Sequence, residues 1–207
     1  MSVCLHPNLL LNPSRRRLLQ AGLAAPLIGP TGTWGQEPSP DPAALLKAGG
    51  LVLAMRHALA PGTFDPPQFK LGDCSTQRLL SEEGREQARR IGAWFNDRQL
   101  KPGRVRSSPW CRCLDTATLA FGSAQAWSAL GSPRGASETT NARSLGELRQ
   151  AIKAASGQNG RFEVWVTHMF VLTALTQQNT ASGEALLLRN AGTAPGQVEV
   201  LARFLIS

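Results

Sequence analysis

Apolar and polar positions fall into blocks along the chain, and the period changes from block to block. Residues 50–56, "GLVLAMR", are apolar until Arg56, and His57 follows. A continuous apolar run of this length predicts a strand buried on both faces. After a Pro-rich stretch over 59–79, "RLLSEEGREQARRIGAWF" takes up a helical period. Leu80, Ala88, Ile91 and Phe95 share one face around Gly84, Ser81 stands at the cap, and the predicted helix runs to about Leu100. Glu82 and Glu83 occupy the first turn, where carboxylates suit the helix dipole.

"RVRSSP" predicts a second strand, with Ser108 as an N-cap and Pro109 at the first position of a helix that runs to about Phe121. "QAWSAL" predicts a third strand, and "GSPRGASETTN" a loop. Ser144 to Glu147 has the capping-box spacing, and Leu145, Leu148, Ile152 and Ala155 give the helix after it an apolar stripe. "RFEVWVTH" predicts a further strand, followed by a short helix to about Gln178. "EALLLR" and "QVEVLARF" predict a closing pair of strands. Strands alternating with helices predict an α/β fold of three layers: a mainly parallel central sheet with helices on both faces. In such sheets, sites form beyond the carboxyl ends of the strands.

The first 35 residues do not share this pattern. "SRRRLLQ" precedes a short apolar stretch, "AGLAAPLIG", broken by Gly and Pro. A membrane-spanning helix needs ~20 apolar residues, so a stable membrane anchor is not expected. The segment resembles a twin-arginine export signal, with Arg15 and Arg16 as the pair. This implies export through the twin-arginine translocation machinery and a periplasmic location. The expected organisation is a signal peptide over 1–35, a linker over 36–47 and one domain over 48–207.

The net charge is +8; without the first 35 residues it is +5, from 19 basic and 14 acidic residues. That excess suits an anionic substrate. Basic residues do not cluster with aromatics, so no nucleic-acid partner is expected. Export leaves Cys74, Cys111 and Cys113 in an oxidising compartment, where one disulfide and one free thiol are expected. Too few His and Cys ligands cluster for a metal site, and no cofactor is expected.

The domain has two histidines, His57 and His168, and both end an apolar strand. Arg56 precedes the first, and Arg112 lies in the first turn of the helix after "RVRSSP". Three strand ends thus bring Arg, His, Arg and His to one edge of the sheet.

These residues carry a resemblance. "MRHA", "SSPWCRCLDTA", "RLLSEEGREQARRIGAWF" and "VTH" resemble, in order, the motifs of the histidine phosphatase superfamily, with its phosphoglycerate-mutase-like fold. The resemblance spans about residues 50–170. It implies that His57 is the nucleophile that becomes phosphohistidine. Arg56 and Arg112 bind phosphate, His168 contacts the phosphoryl oxygens, and Arg78 is a further phosphate-binding arginine. It also places a proton-donating acid between the second arginine and the second histidine, where Glu138 is the loop's acid; Asp73 is the substitute, and one branch has no acid here. If Arg78 and Arg112 share a phosphate, Cys74 is near Cys111 or Cys113, and a bridge to one of them is expected. Ala58, in place of the motif glycine, suits the phosphohistidine-phosphatase and lipopolysaccharide-phosphatase branches.

The implied function is an exported, metal-independent histidine phosphatase. It hydrolyses a phosphomonoester on a small molecule or glycan, with phosphorylated lipopolysaccharide core sugar as the nearest substrate. The alternatives are a phosphohistidine phosphatase and a non-catalytic phosphate-binding module of the same fold.

Overall fold

The computed structural model describes residues 40–134, 136–192 and 196–206. The segment expected as a signal peptide, 1–35, lies outside the described residues. So does the start of the segment expected as a linker. The rest of that segment departs from expectation: Pro42–Ala48 is a helix, α1. Asp41 caps it by accepting from Ala43 N (3.0 Å), and Pro42 sits where its missing N–H costs nothing. Ala43 and Leu46, one turn apart, are buried.

The remaining elements follow in order: β1 (Leu51–Arg56), α2 (Glu82–Asp97), β2 (Arg104–Ser107), α3 (Cys111–Phe121), β3 (Gln125–Ala126), α4 (Glu138–Ser156), β4 (Phe162–Thr167), α5 (Met169–Thr176), β5 (Glu184–Asn190) and β6 (Val198–Leu205). Among the described residues the strands form one sheet in the order β3-β2-β4-β1-β5-β6. β3, β2, β4 and β1 pair in parallel, while β5 and β6 are antiparallel. This is the mainly parallel α/β sheet expected.

The apolar run of β1 serves two cores. Leu51, Leu53 and Met55 pack on one face with Ile91 and Phe95 of α2 and Ala117 of α3. Val52 and Ala54 pack on the other with Leu148 and Ile152 of α4 and Leu172 of α5. Successive side chains on a strand point to opposite faces, so a strand covered on both sides must be apolar at every position.

Two helix starts differ from expectation. α4 begins at Glu138, two turns before the expected capping box. Ser137 caps it, accepting from Thr140 N (3.2 Å), which places Ser144 and Glu147 inside the helix. α3 begins at Cys111 after Trp110, with no side-chain cap, so Ser108 is not an N-cap. The third strand is two residues long, and Ser128–Leu130 after it is a 3-10 turn. β5 and β6 pair as expected.

The parallel register aligns the strand ends. Arg56 pairs with Thr167 and Ser107 with Val166. His57 N then donates to Thr167 O (3.0 Å), and Ser108 N to Val166 O (2.8 Å). His57, Ser108 and His168 therefore leave the sheet side by side.

Candidate active site

The segment after β1 is held from three sides. Ala58 N donates to Thr116 Oγ1 of α3 (3.0 Å). Leu59 N donates to Gln87 Oε1 of α2 (3.0 Å), and Gln87 Nε2 donates to Ser182 O (2.9 Å). Gly183 N donates to His57 O (3.1 Å). Such anchoring fixes a side chain in the geometry its chemistry needs.

His57 is 2% exposed. Its Nδ1 lies 2.7 Å from Ala58 O. A carbonyl only accepts, so Nδ1 carries the proton. Arg112 Nε donates to Nε2 (3.2 Å), so Nε2 carries no proton and its lone pair points at the Arg112 guanidinium. Burial, partly opposed by the Ala58 hydrogen bond and reinforced by Arg112, Arg56 and Arg78, lowers the imidazole pKa to about 3. The arginines disfavour the imidazolium, but desolvation is the larger cause. Nε2 is thus unprotonated across the physiological range.

His168 caps the opposite wall. Arg112 Nη2 lies 3.3 Å from its Nδ1, so Nδ1 accepts and Nε2–H donates to Ser108 Oγ (2.8 Å). Burial first, then the charge of Arg112, holds this imidazole neutral as well. Ser108, read from the sequence as a helix cap, instead orients the second histidine. Its place at the end of β2 was the only signal.

Arg112 is 3% exposed, and its Nη1 donates to Asp65 Oδ1 (2.8 Å). One guanidinium therefore touches His57, His168 and Asp65. Arg56 and Arg78 complete the cluster. Arg56 Nη1 donates to Thr180 O (3.0 Å), and Arg78 Nη1 to the carbonyls of Ala60 (2.7 Å) and Pro61 (3.1 Å). The Nε of each is buried without a hydrogen-bond partner among the described residues. A buried unpaired donor is costly, and an anion in the pocket relieves that cost.

The pocket is about 700 Å³ and is lined by Arg56, His57, Arg78, Arg112 and His168. The structure thus brings together all the expected site residues except Glu138. Glu138 is exposed at the first turn of α4, outside the pocket lining. Asp73, the substitute acid, is also outside it; its carboxylate accepts from Ser75 N (3.1 Å) in the 3-10 turn Cys74–Thr76. Among the described residues the one lining carboxylate is Asp65, which sequence reasoning missed. Asp65 Oδ1 also accepts from Arg78 N (3.0 Å), and Oδ2 from Trp110 Nε1 (3.3 Å). Burial opposes its ionisation, but the Arg78 N–H and the Arg112 charge outweigh that and hold the carboxyl below its ordinary value.

Cys74 and Cys111 form a disulfide, with Cα atoms 5.7 Å apart. It ties the segment carrying Arg78 to the first turn carrying Arg112. Cys113 is free and buried, and burial pushes its thiol up to about 12. The two alternatives for Cys74 thus resolve to Cys111. Among the described residues no group of three His, Cys, Asp or Glu is placed to hold a metal ion.

Four guanidiniums, of Arg56, Arg78, Arg112 and Arg134, share the pocket with one carboxylate, a net positive pocket suited to a dianion. Aromatic side chains rim the mouth: Phe69 stacks on Trp110 (centroids 5.4 Å apart), and Arg134 lies over Phe64. Trp110 borders the pocket and meets His168 edge-on (5.3 Å).

Residues 52–131 match the family model of the histidine phosphatase superfamily (branch 1). The family read from the motifs is the family matched. No curated protein sequence matches the chain. Among solved structures it is similar to the protein histidine phosphatase SixA complexed with tungstate (TM-score 0.53, 17% identity, covering 75% of this chain and 96% of that one). It is also similar to a phosphoserine phosphatase from Entamoeba histolytica in complex with 3-phosphoglyceric acid (0.53, 11%, 74% and 95%). A third is a mycobacterial glucosyl-3-phosphoglycerate phosphatase (0.50, 16%, 72% and 96%). At these identities the likeness is one of fold.

Proposed function

For a chain that matches the histidine phosphatase superfamily and shares the fold of its phosphatases, we propose hydrolysis of a phosphomonoester through phosphohistidine on His57. One observation carries this reading: the unprotonated Nε2 of a buried imidazole faces a guanidinium in a pocket where two further arginines have unpartnered Nε–H groups. An imidazole attacks only from an unprotonated nitrogen, which burial secures, and a phosphoryl group that takes over Arg112 frees the Nε2 lone pair for attack. Arg56, Arg78 and Arg112 pair with the three equatorial oxygens, where charge concentrates during phosphoryl transfer. His168, oriented by Ser108, hydrogen-bonds one of them. Water then attacks the phosphohistidine and releases phosphate.

The finer reading is an exported enzyme that acts on phosphorylated lipopolysaccharide core sugar. The wide aromatic mouth supports a bulky leaving group, since sugars and aromatic rings pack face to face through apolar C–H surface. Arg15 and Arg16 support export. Replacing both with lysine is expected to retain the chain, uncleaved, in the cytoplasm; unchanged export would end that part. A phosphohistidine phosphatase is the second reading, favoured by the likeness to SixA.

The purified protein, wild type and His57→Ala, is tested on p-nitrophenyl phosphate, sugar phosphates and a phosphohistidine peptide, with and without chelator. The expected result is turnover by wild type that chelator leaves unchanged. Removing the covalent acceptor is expected to cost on the order of 10³-fold or more. Near-normal turnover by His57→Ala overturns the covalent route. Binding without turnover of any substrate favours the non-catalytic module.

A further inference from the structure

A departing alkoxide needs a proton, and the acid expected from sequence order does not reach the pocket. Glu138 and Asp73 both lie outside the lining. Asp65 lies inside it, one guanidinium away from the nucleophile. Arg112 Nε touches His57 Nε2 (3.2 Å) while Arg112 Nη1 touches Asp65 Oδ1 (2.8 Å). A phosphoryl group that takes over Arg112 therefore meets both the imidazole and the carboxylate that this guanidinium now touches. We infer that Asp65 is the proton donor to the leaving oxygen and, in the second step, the base that activates water. This rests on the phosphohistidine reading and adds a residue to it.

Held by the Arg78 N–H and the Arg112 charge, Asp65 is a carboxylate, and a carboxylate donates nothing. The groups facing it explain how that changes. Arg78 and Arg112 stabilise its charge directly. Arg56, His57, His168 and the rim cation Arg134 share the pocket, while Cys113 stays a buried, neutral thiol behind Arg112. An arriving dianion engages the guanidiniums that Asp65 had to itself and sets two negative charges beside it. Both changes favour the protonated carboxyl. Asp65 then takes up one proton as the substrate binds.

The balance of the steps is complete. The Nε2 lone pair forms the N–P bond as the P–O bond to the leaving group breaks. That electron pair stays on the leaving oxygen, which takes the proton from Asp65. Asp65, now a carboxylate, removes a proton from water as its oxygen attacks phosphorus. The P–N bond breaks back to the neutral imidazole, and phosphate leaves.

Asp65→Asn keeps one acceptor oxygen, for Arg112 Nη1 and Arg78 N, gives up the bond from Trp110 Nε1, and carries no transferable proton. For an alkyl phosphate, kcat/KM is expected to fall about 10²–10⁴-fold, the range for general acid catalysis. For p-nitrophenyl phosphate, whose leaving group needs little protonation, the fall is expected to be within about threefold. Equal losses on both substrates would reduce Asp65 to a positioning partner of Arg112 and overturn the inference; so would no loss on either.

A binding readout separates this from the parent reading. Sulfate is a dianion that does not itself titrate near neutral pH. Calorimetry of sulfate binding in two buffers of different ionisation enthalpy is expected to show proton uptake by wild type and by His57→Ala, and none by Asp65→Asn. Uptake unchanged in Asp65→Asn overturns the inference. Failure of wild type to hydrolyse any phosphomonoester overturns the parent reading, and the sulfate experiment still decides whether Asp65 takes the proton.

Discussion

Breaking the disulfide at Cys74 tests how much the covalent tie contributes to the site. Cys74 is exposed, whereas Cys111 is buried. Cys74→Ala therefore removes the cross-link without opening a cavity, and it is the cleaner variant. The bond joins residues 37 positions apart. In the loop-entropy account, a closed loop of this length restricts the unfolded chain by roughly 4 kcal/mol. For a domain of this size each kcal/mol moves the melting temperature by about 2–4 °C, so a fall of about 8–16 °C is expected. Reductant is expected to reproduce the shift in wild type and to add nothing in Cys74→Ala. The local tie does not vanish, because Gln77 Oε1 still accepts from Cys111 N (3.0 Å) while its Nε2 holds Lys70 O (3.1 Å). The stability loss is thus expected to exceed the loss of phosphate affinity. Differential scanning fluorimetry and phosphate inhibition constants measure the two. A melting shift under about 2 °C, well below that expected for the loop, would refute the loop-closure reasoning. The remaining thiol, Cys113, is expected to react with a thiol reagent only after denaturation.

Acid is expected to destabilise the fold. His57 has a folded pKa of about 3 against an ordinary value of about 6.5, so its contribution is complete above the ordinary value and is lost as pH falls towards the folded one. His168, lowered in the same direction, adds to this; Asp65, also lowered, contributes above its ordinary value and loses that as pH falls through its folded one. Urea melts between pH 7 and 4 check the sign, and a stability that rises on acidification would contradict it. Gly84→Ala tests a close approach: a Cβ there would lie 2.0 Å from Leu59 O. Helix propensity alone predicts a gain of about 1 kcal/mol, whereas overpacking against backbone predicts a loss of about 1–3 kcal/mol. A net loss by urea titration is expected, together with reduced turnover, because Leu59 is two residues from His57.

The parts legible in the sequence are those whose signal is local and whose geometry is forced by the sheet. β1 reads as a continuous apolar run, and β4 as one from Val164 to Val166, because each is covered on both faces. Once they are parallel and in register, His57 and His168 must emerge together. The start of α4 was not legible. Its first turns, Glu138 to Arg143, are polar, and no apolar stripe begins until Leu145. The cap at Ser137 carries no periodic signal ahead of it, so the next Ser-x-x-Glu looked like the start.

The acid was not legible for a related reason. Glu138 was assigned by its order between two motif residues, but order along the chain says nothing about which way a helix terminus faces. In the folded chain that terminus is exposed. Asp65 sits in a stretch with no period at all, and its partners are 13 and 47 residues away. Nothing local marks it. Its charge is meaningful only because Arg78 and Arg112 arrive from separate segments, and those segments are themselves joined through Cys74 and Cys111. The disulfide, the arginine pair and the carboxylate are thus one tertiary unit. Histidines at strand ends announce the proposed phosphate site from sequence, whereas the group that would complete its proton chemistry appears only when the loop over 59–79 packs against α3.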